Sequence, residues 1–102
     1  MPKAFLVVRA VIPDANQRAA FDRWYHDEHL PDAMKTFRAE KGWRLWSETD
    51  PAVHQATYQF ADRAALDRAI APDNFKPLID EFDRVWPAIK RSREILTLAE
   101  ET

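Results

Sequence analysis

The chain has 102 residues, 46% hydrophobic and 12% aromatic, with 15 basic and 17 acidic residues interspersed along its length for a formal charge of -2. That content suits one compact domain over residues 1–102, and without a basic block to neutralise phosphates nucleic acid is excluded as a partner. With no cysteine there is no disulfide framework or thiolate metal site, and the apolar run at residues 4–8, interrupted by Arg9, is too short for a signal segment or membrane span, so the expectation is a cytoplasmic protein with no membrane partner.

Residues 3–12, KAFLVVRAVI, are rich in β-branched and aromatic types and read as a strand closed by Pro13 and Asp14. Alternation puts Arg9 with Phe5, Val7 and Val11 on one face and Leu6, Val8, Ala10 and Ile12 on the other, without fixing which face meets the helices. Asp14 followed by Gln17 has the form of a capping box, after which Ala20, Phe21, Trp24 and Glu28 recur at helical spacing, predicting a helix over about residues 15–29. Pro31 permits a kink or a fresh first turn, residues 32–40 continue as helix, and Gly42 ends it. Residues 43–48 and 54–60 predict a hairpin turning at Thr49, Asp50 and Pro51, with Ala56, Tyr58 and Phe60 on one face and Gln55, Thr57 and Gln59 on the other. Asp62 caps a short helix, Pro72 and Asp73 interrupt it, and Phe75, Leu78, Ile79, Phe82, Val85 and Trp86 mark a second amphipathic helix closed by Pro87. Residues 93–99 make the last strand.

The order β-α-β-β-α-β predicts the split βαβ, or ferredoxin-like, α+β arrangement: a four-stranded antiparallel sheet with the helices on one face. Both strand parities carry large apolar groups, so the other face needs cover in a domain this small. A homodimer packed sheet to sheet supplies it.

Chemistry concentrates in the run Trp24-Tyr25-His26-Asp27-Glu28-His29-Leu30-Pro31. At about 100° per residue Glu28 falls near the centre of the apolar stripe and His29 at its edge beside Tyr25. A buried carboxylate has its pKa raised and a nearby imidazolium lowers it, so Glu28 and His29 are placed to exchange a proton near neutral pH. Alternatively, Glu28 accepts hydrogen bonds from the backbone or Arg9 and fastens helix to sheet, while His29 caps a helix end. Arg9 either pairs with Glu28 or holds an anionic substrate group. Trp43, Trp46, Tyr58 and Phe60 either stack on a flat substrate, beside Trp24 and Tyr25, or are plain core or dimer interface, with Gln59 and Thr57 as candidate neutral hydrogen bonders. His26 is expected at the surface paired with Asp22, and His54 exposed at a strand start. The two histidines of the motif lack the spacing and the further ligands of a zinc site, so no metal is expected. The one glycine excludes a glycine-rich phosphate loop, and neither Ser47 nor Ser92 suggests a nucleophile triad.

Helix, then Trp24-Tyr25-x-x-Glu28-His29-Leu30-Pro31, then Gly42-Trp43 opening an aromatic strand, then Phe75 to Trp86: this combination resembles the dimeric α+β barrel proteins, in particular the EthD-like group, whose first helix carries a similar acid-His-x-Pro element. The similarity of pattern spans nearly the whole chain, and its specific part is Glu28-His29-Leu30-Pro31. Relatives often have Pro-Gly before the second strand, where this chain has Lys41-Gly42. The resemblance implies a site in a cavity between helix and sheet, and activities such as lactone isomerase, polyketide cyclase or cofactor-free monooxygenase. Two functions follow as expectations. One is a cofactor-independent isomerase, cyclase or lyase of a small hydrophobic ring compound, with His29 as general acid or base, Glu28 orienting it and Arg9 holding negative charge. The other is a non-catalytic homodimer that binds a small apolar metabolite.

Overall fold

A computed structural model describes residues 2–102. The long apolar run forms β1 (Ala4–Val11), which lies inside the sheet and pairs along its whole length with β3 (Val53–Phe60) on one side and β4 (Lys90–Thr97) on the other. A strand at β2 (Lys41–Trp46) completes the order β2-β3-β1-β4, every neighbour antiparallel. Helices α1 (Ala15–Trp24), α2 (Leu30–Phe37), α3 (Arg63–Ala69) and α4 (Pro72–Val85) fill the two crossovers. This is the four-stranded ferredoxin-like sheet with helices on one face that the element order predicts. Among the described residues no helix is long and apolar enough to cross a membrane.

The first crossover departs from a regular helix at the motif. Between α1 and α2 the residues Tyr25–His29 form one π-helical turn, in which the Leu30 N–H donates to the Tyr25 carbonyl five residues back. The wider turn takes in one extra residue and resets the phase of the stripe by about 100°. An uninterrupted α-helix would carry Glu28 inward four residues after Trp24; here His29, five residues on, turns inward and Glu28 is exposed. The expected burial of Glu28 is thereby corrected, because even spacing at 3.6 residues per turn fails across a π turn.

Other boundaries shift for local reasons. Asp14 caps α1 by accepting from the Asn16 N–H at 2.9 Å, and Asp62 caps α3 through the Ala65 N–H at 2.8 Å. The end of α2 is set by Arg38, in the left-handed conformation at φ 54°, rather than by Gly42. Gly42 lies within β2, where a Cβ would come to 2.6 Å from the Met34 sulfur, so its lack of a side chain lets α2 close on the strand. The last strand begins three residues early, at Lys90.

The two sheet faces differ sharply. Toward the helices, Leu6, Ala10, His54, Ala56, Tyr58 and Phe60 meet Phe21, Trp24, Phe37, Leu66 and Phe82 in a continuous buried cluster. Away from them, Val11, Trp43, Leu45 and Leu96 are 41–49% exposed beside Gln55, Thr57 and Gln59, and Arg9 donates to Gln55 at 3.0 Å and pairs with Glu94 at 3.3 Å.

Candidate active-site cavity

Between the helices and the β4 side of the sheet lies a cavity of about 530 Å³. Its floor comes from Val8 and Tyr58 on the sheet, its walls from Tyr25, His29, Ala33 and Phe37 on the first crossover and Phe75, Leu78, Ile79 and Phe82 on α4. Lys90, Arg91 and Arg93 of β4, with Asp83 of α4, make up the polar part. The volume falls within the roughly 300–1,000 Å³ of small-molecule pockets, and an apolar lining with a few convergent polar groups is their usual composition.

His29 is only 7% exposed and is held by three rings. Trp24 stacks on it with centroids 4.8 Å apart, and Tyr25 and Phe82 meet it edge to face at 4.8 and 5.7 Å. Its Nδ1 is buried with no hydrogen-bond partner in the protein. Burial pushes the imidazole down to about 4, and the positive charge of Arg91 pushes the same way. At neutral pH it is therefore an uncharged base set in an apolar wall.

Tyr25 and Tyr58 reach the cavity from opposite layers. Burial raises both phenols above their ordinary pKa, Tyr58 well above, so each keeps its proton. Arg91 lies over the Phe82 ring at 3.9 Å and pairs with Asp83, which holds its guanidinium close to His29 through the ring they share. Arg93 lies over Phe75 at 4.7 Å.

A second polar cluster sits on the same helix-side layer, toward β2. His54, expected exposed, is fully buried, because alternation along β3 puts it on the helix face with Ala56, Tyr58 and Phe60. Its Nε2 accepts from the Arg44 Nε at 3.2 Å, while Arg44 also pairs with Asp22 and the Trp46 Nε1 donates to Asp22 at 2.8 Å. The Trp46 hydrogen bond is the main cause of the lowered pKa of Asp22. Asp22 thus pairs across to the sheet rather than with His26, which is exposed.

Of the residues singled out from the sequence, the fold brings His29, Tyr25 and Tyr58 to the cavity, with Trp24 packed behind His29. Trp46 belongs to the Asp22 cluster, outside the cavity lining. Arg9 and Gln59 occupy the open face of the sheet, where Gln59 donates to Glu40 at 3.0 Å, so neither shares a site with His29. The expected meeting of Arg9 with Glu28 does not occur; the sheet separates them. Sequence reasoning missed Arg91 and Arg93. The signal for them was alternation: Arg93 shares the parity of Ile95, which faces the helices, and Arg91 does too once β4 is extended back to Lys90.

No family model matches the chain, and no curated protein matches it in sequence. Solved structures do match in fold. A dimeric ferredoxin-like protein from an uncultured marine organism superposes with a TM-score of 0.70 at 19% identity over 100% of both chains. HapK from Hahella chejuensis gives 0.69 at 15% identity, covering 97% of this chain and 96% of its own. SnoaB, a cofactor-independent oxygenase from Streptomyces nogalater, gives 0.67 at 15% identity over 99% and 97%.

Proposed function

We propose that the protein is a homodimeric, cofactor-independent enzyme, an isomerase, cyclase or lyase that moves a proton on a small hydrophobic ring compound of lactone or aromatic polyketide type bound in the helix–sheet cavity. The observation that carries this is His29: a buried, uncharged imidazole lining an apolar cavity beside a fixed positive charge. Assignment to the EthD-like group within the ferredoxin-like fold rests on the Glu28-His29-Leu30-Pro31 resemblance.

In this mechanism His29 takes a proton from carbon next to a ring carbonyl, or from a phenol. Arg91 supports the resulting enolate electrostatically, and Tyr25 and Tyr58, which stay protonated, are the neutral donors to its oxygen. Ground-state imidazolium is disfavoured by burial and by Arg91, but an imidazolium facing an enolate is an ion pair, so the site favours the charge-separated state only once substrate is present. Returning the proton to a different carbon isomerises the ring; attack of the carbanion on a second carbonyl cyclises it. Glu28 and Arg9, lying outside the cavity, take no step.

The dimer reading rests on the open sheet face. Four large apolar side chains exposed at 41–49% beside neutral Gln and Thr groups form a surface that a second copy would cover, burying at least roughly 1,000 Å² in total. Light scattering at micromolar concentration should report a dimer; a stable monomer overturns it.

The enzymatic reading is tested by incubating the protein with ring ketones, lactones and naphthols in deuterated water and following exchange of acidic C–H positions by NMR. Exchange should be accelerated by the wild type and lost in His29→Ala; acceleration that survives the substitution contradicts the mechanism. A second reading, a cofactor-free monooxygenase in which the substrate anion itself reduces dioxygen, is favoured by the likeness in fold to SnoaB. It begins with the same deprotonation and is told apart by His29-dependent oxygen uptake.

A further inference from the structure

The polar side of the cavity is unbalanced. Arg91 and Arg93 face a single carboxylate, Asp83, which is taken by Arg91. Arg93 has no ion-pair partner among the described residues, and Glu94 next to it points to the opposite face and pairs with Arg9. The Arg93 guanidinium carbon lies over the Phe75 ring at 4.7 Å, and a guanidinium has five N–H donors to offer a ligand. Phe75 and Arg93 also line a smaller adjoining cavity of about 320 Å³, so this pair stands where the two spaces meet. Low-dielectric walls concentrate the field of such cations into the space they line.

We propose that the cavity takes a ring compound bearing its own carboxylate, the ring lying against His29 and Phe82 and the carboxylate seated on Arg93. The substrate class under Proposed function is narrowed to aryl or alicyclic carboxylates, and the inference rests on that reading for the position of the ring. Division of labour follows from placement. Arg91, tied to Asp83 and sharing Phe82 with His29, supports charge that develops at the ring; Arg93, further along β4, anchors charge already on the substrate. An anchor of this kind fixes the ring relative to the base and discriminates against neutral analogues.

Calorimetric titration with naphthoate and its neutral isostere naphthamide tests the assignment. Wild-type protein should bind naphthoate the more tightly, and Arg93→Gln should weaken naphthoate by on the order of tenfold while leaving naphthamide unchanged. Arg63→Gln, a charge removed outside both cavities, should alter neither. Arg93 is exposed, so the variant should melt with the wild type. Equal binding of the two probes, parallel weakening of both by Arg93→Gln, or binding of neither overturns the proposal. His29→Ala separates it from the catalytic reading. If the carboxylate preference persists there and no His29-dependent exchange is found for any compound, the anion site stands without the enzyme. If exchange on neutral compounds depends on His29 and no carboxylate preference exists, the enzyme stands without the anion site.

Discussion

His29 and His54 are set in the same layer between helices and sheet, and both are buried. Each imidazole is pushed down to about 4, chiefly by burial, and each has an Nδ1 with no partner. Their surroundings part there. His54 is closed in, with Tyr25, Trp46 and Phe21 within 4.7–5.2 Å of its ring and its Nε2 occupied by Arg44. His29 is stacked on Trp24 and lines open space. A depressed pKa thus marks burial at both sites, and only an adjoining cavity makes the group useful for chemistry.

What the two histidines share gives the largest expected effect. A group with folded pKa about 4 against an ordinary 6.5 leaves the unfolded chain binding more protons between those values. Stability is therefore full above about pH 6.5, falls as pH drops through that window, and stops falling from this cause below about 4. The loss is at most on the order of 3 kcal/mol for each histidine. Urea midpoints measured from pH 7.5 to 3.5 check this, and His54→Ala should flatten the slope.

Substitution then pulls the pair apart. His29→Ala should lower turnover by roughly 100-fold or more while unfolding stays cooperative and the ring still binds. His54→Ala should instead cost about 2 kcal/mol or more in chemical denaturation, since it opens a cavity and leaves the Arg44 Nε without its acceptor, with turnover per folded molecule unchanged. If both variants lose activity alike, the distinction between an enclosed and a cavity-lining histidine fails. Smallest of all is Glu28→Gln: on the exposed side of the π turn it should change stability by less than about 0.5 kcal/mol and leave turnover as it was, a result that checks the helical phase directly.

The helical phase is also where the sequence was hardest to read. Element order, the antiparallel sheet and the Asp14 and Asp62 caps follow from patterns that physics makes regular: alternation in strands, 3.6-residue spacing in helices, side-chain oxygens at helix starts. A π turn has no such signature. Nothing in Tyr25-His26-Asp27-Glu28-His29 announces an extra residue, so extrapolating the stripe from Trp24 buries the acid and leaves the histidine at the edge, whereas the fold does the reverse. His54 was legible in principle, since parity with Tyr58 already placed it inward, but its position beside a turn argued for exposure. The face of Arg9 was not legible for a different reason: alternation gives two faces without saying which one the helices cover. That choice depends on how whole crossovers pack. Arg91 was hidden by starting the last strand three residues late, whereas Arg93 lay within it on a face that alternation alone does not assign.

The most direct test is a ring-nitrogen and ring-proton NMR titration of His29, assigned by comparison with His26→Gln and His54→Ala. The expected result is an imidazole that titrates near 4, stays neutral at pH 7, and shifts when naphthoate is added, while His54 keeps its resonances. A His29 that titrates near 6.5, or one indifferent to every compound that binds the protein, contradicts the account.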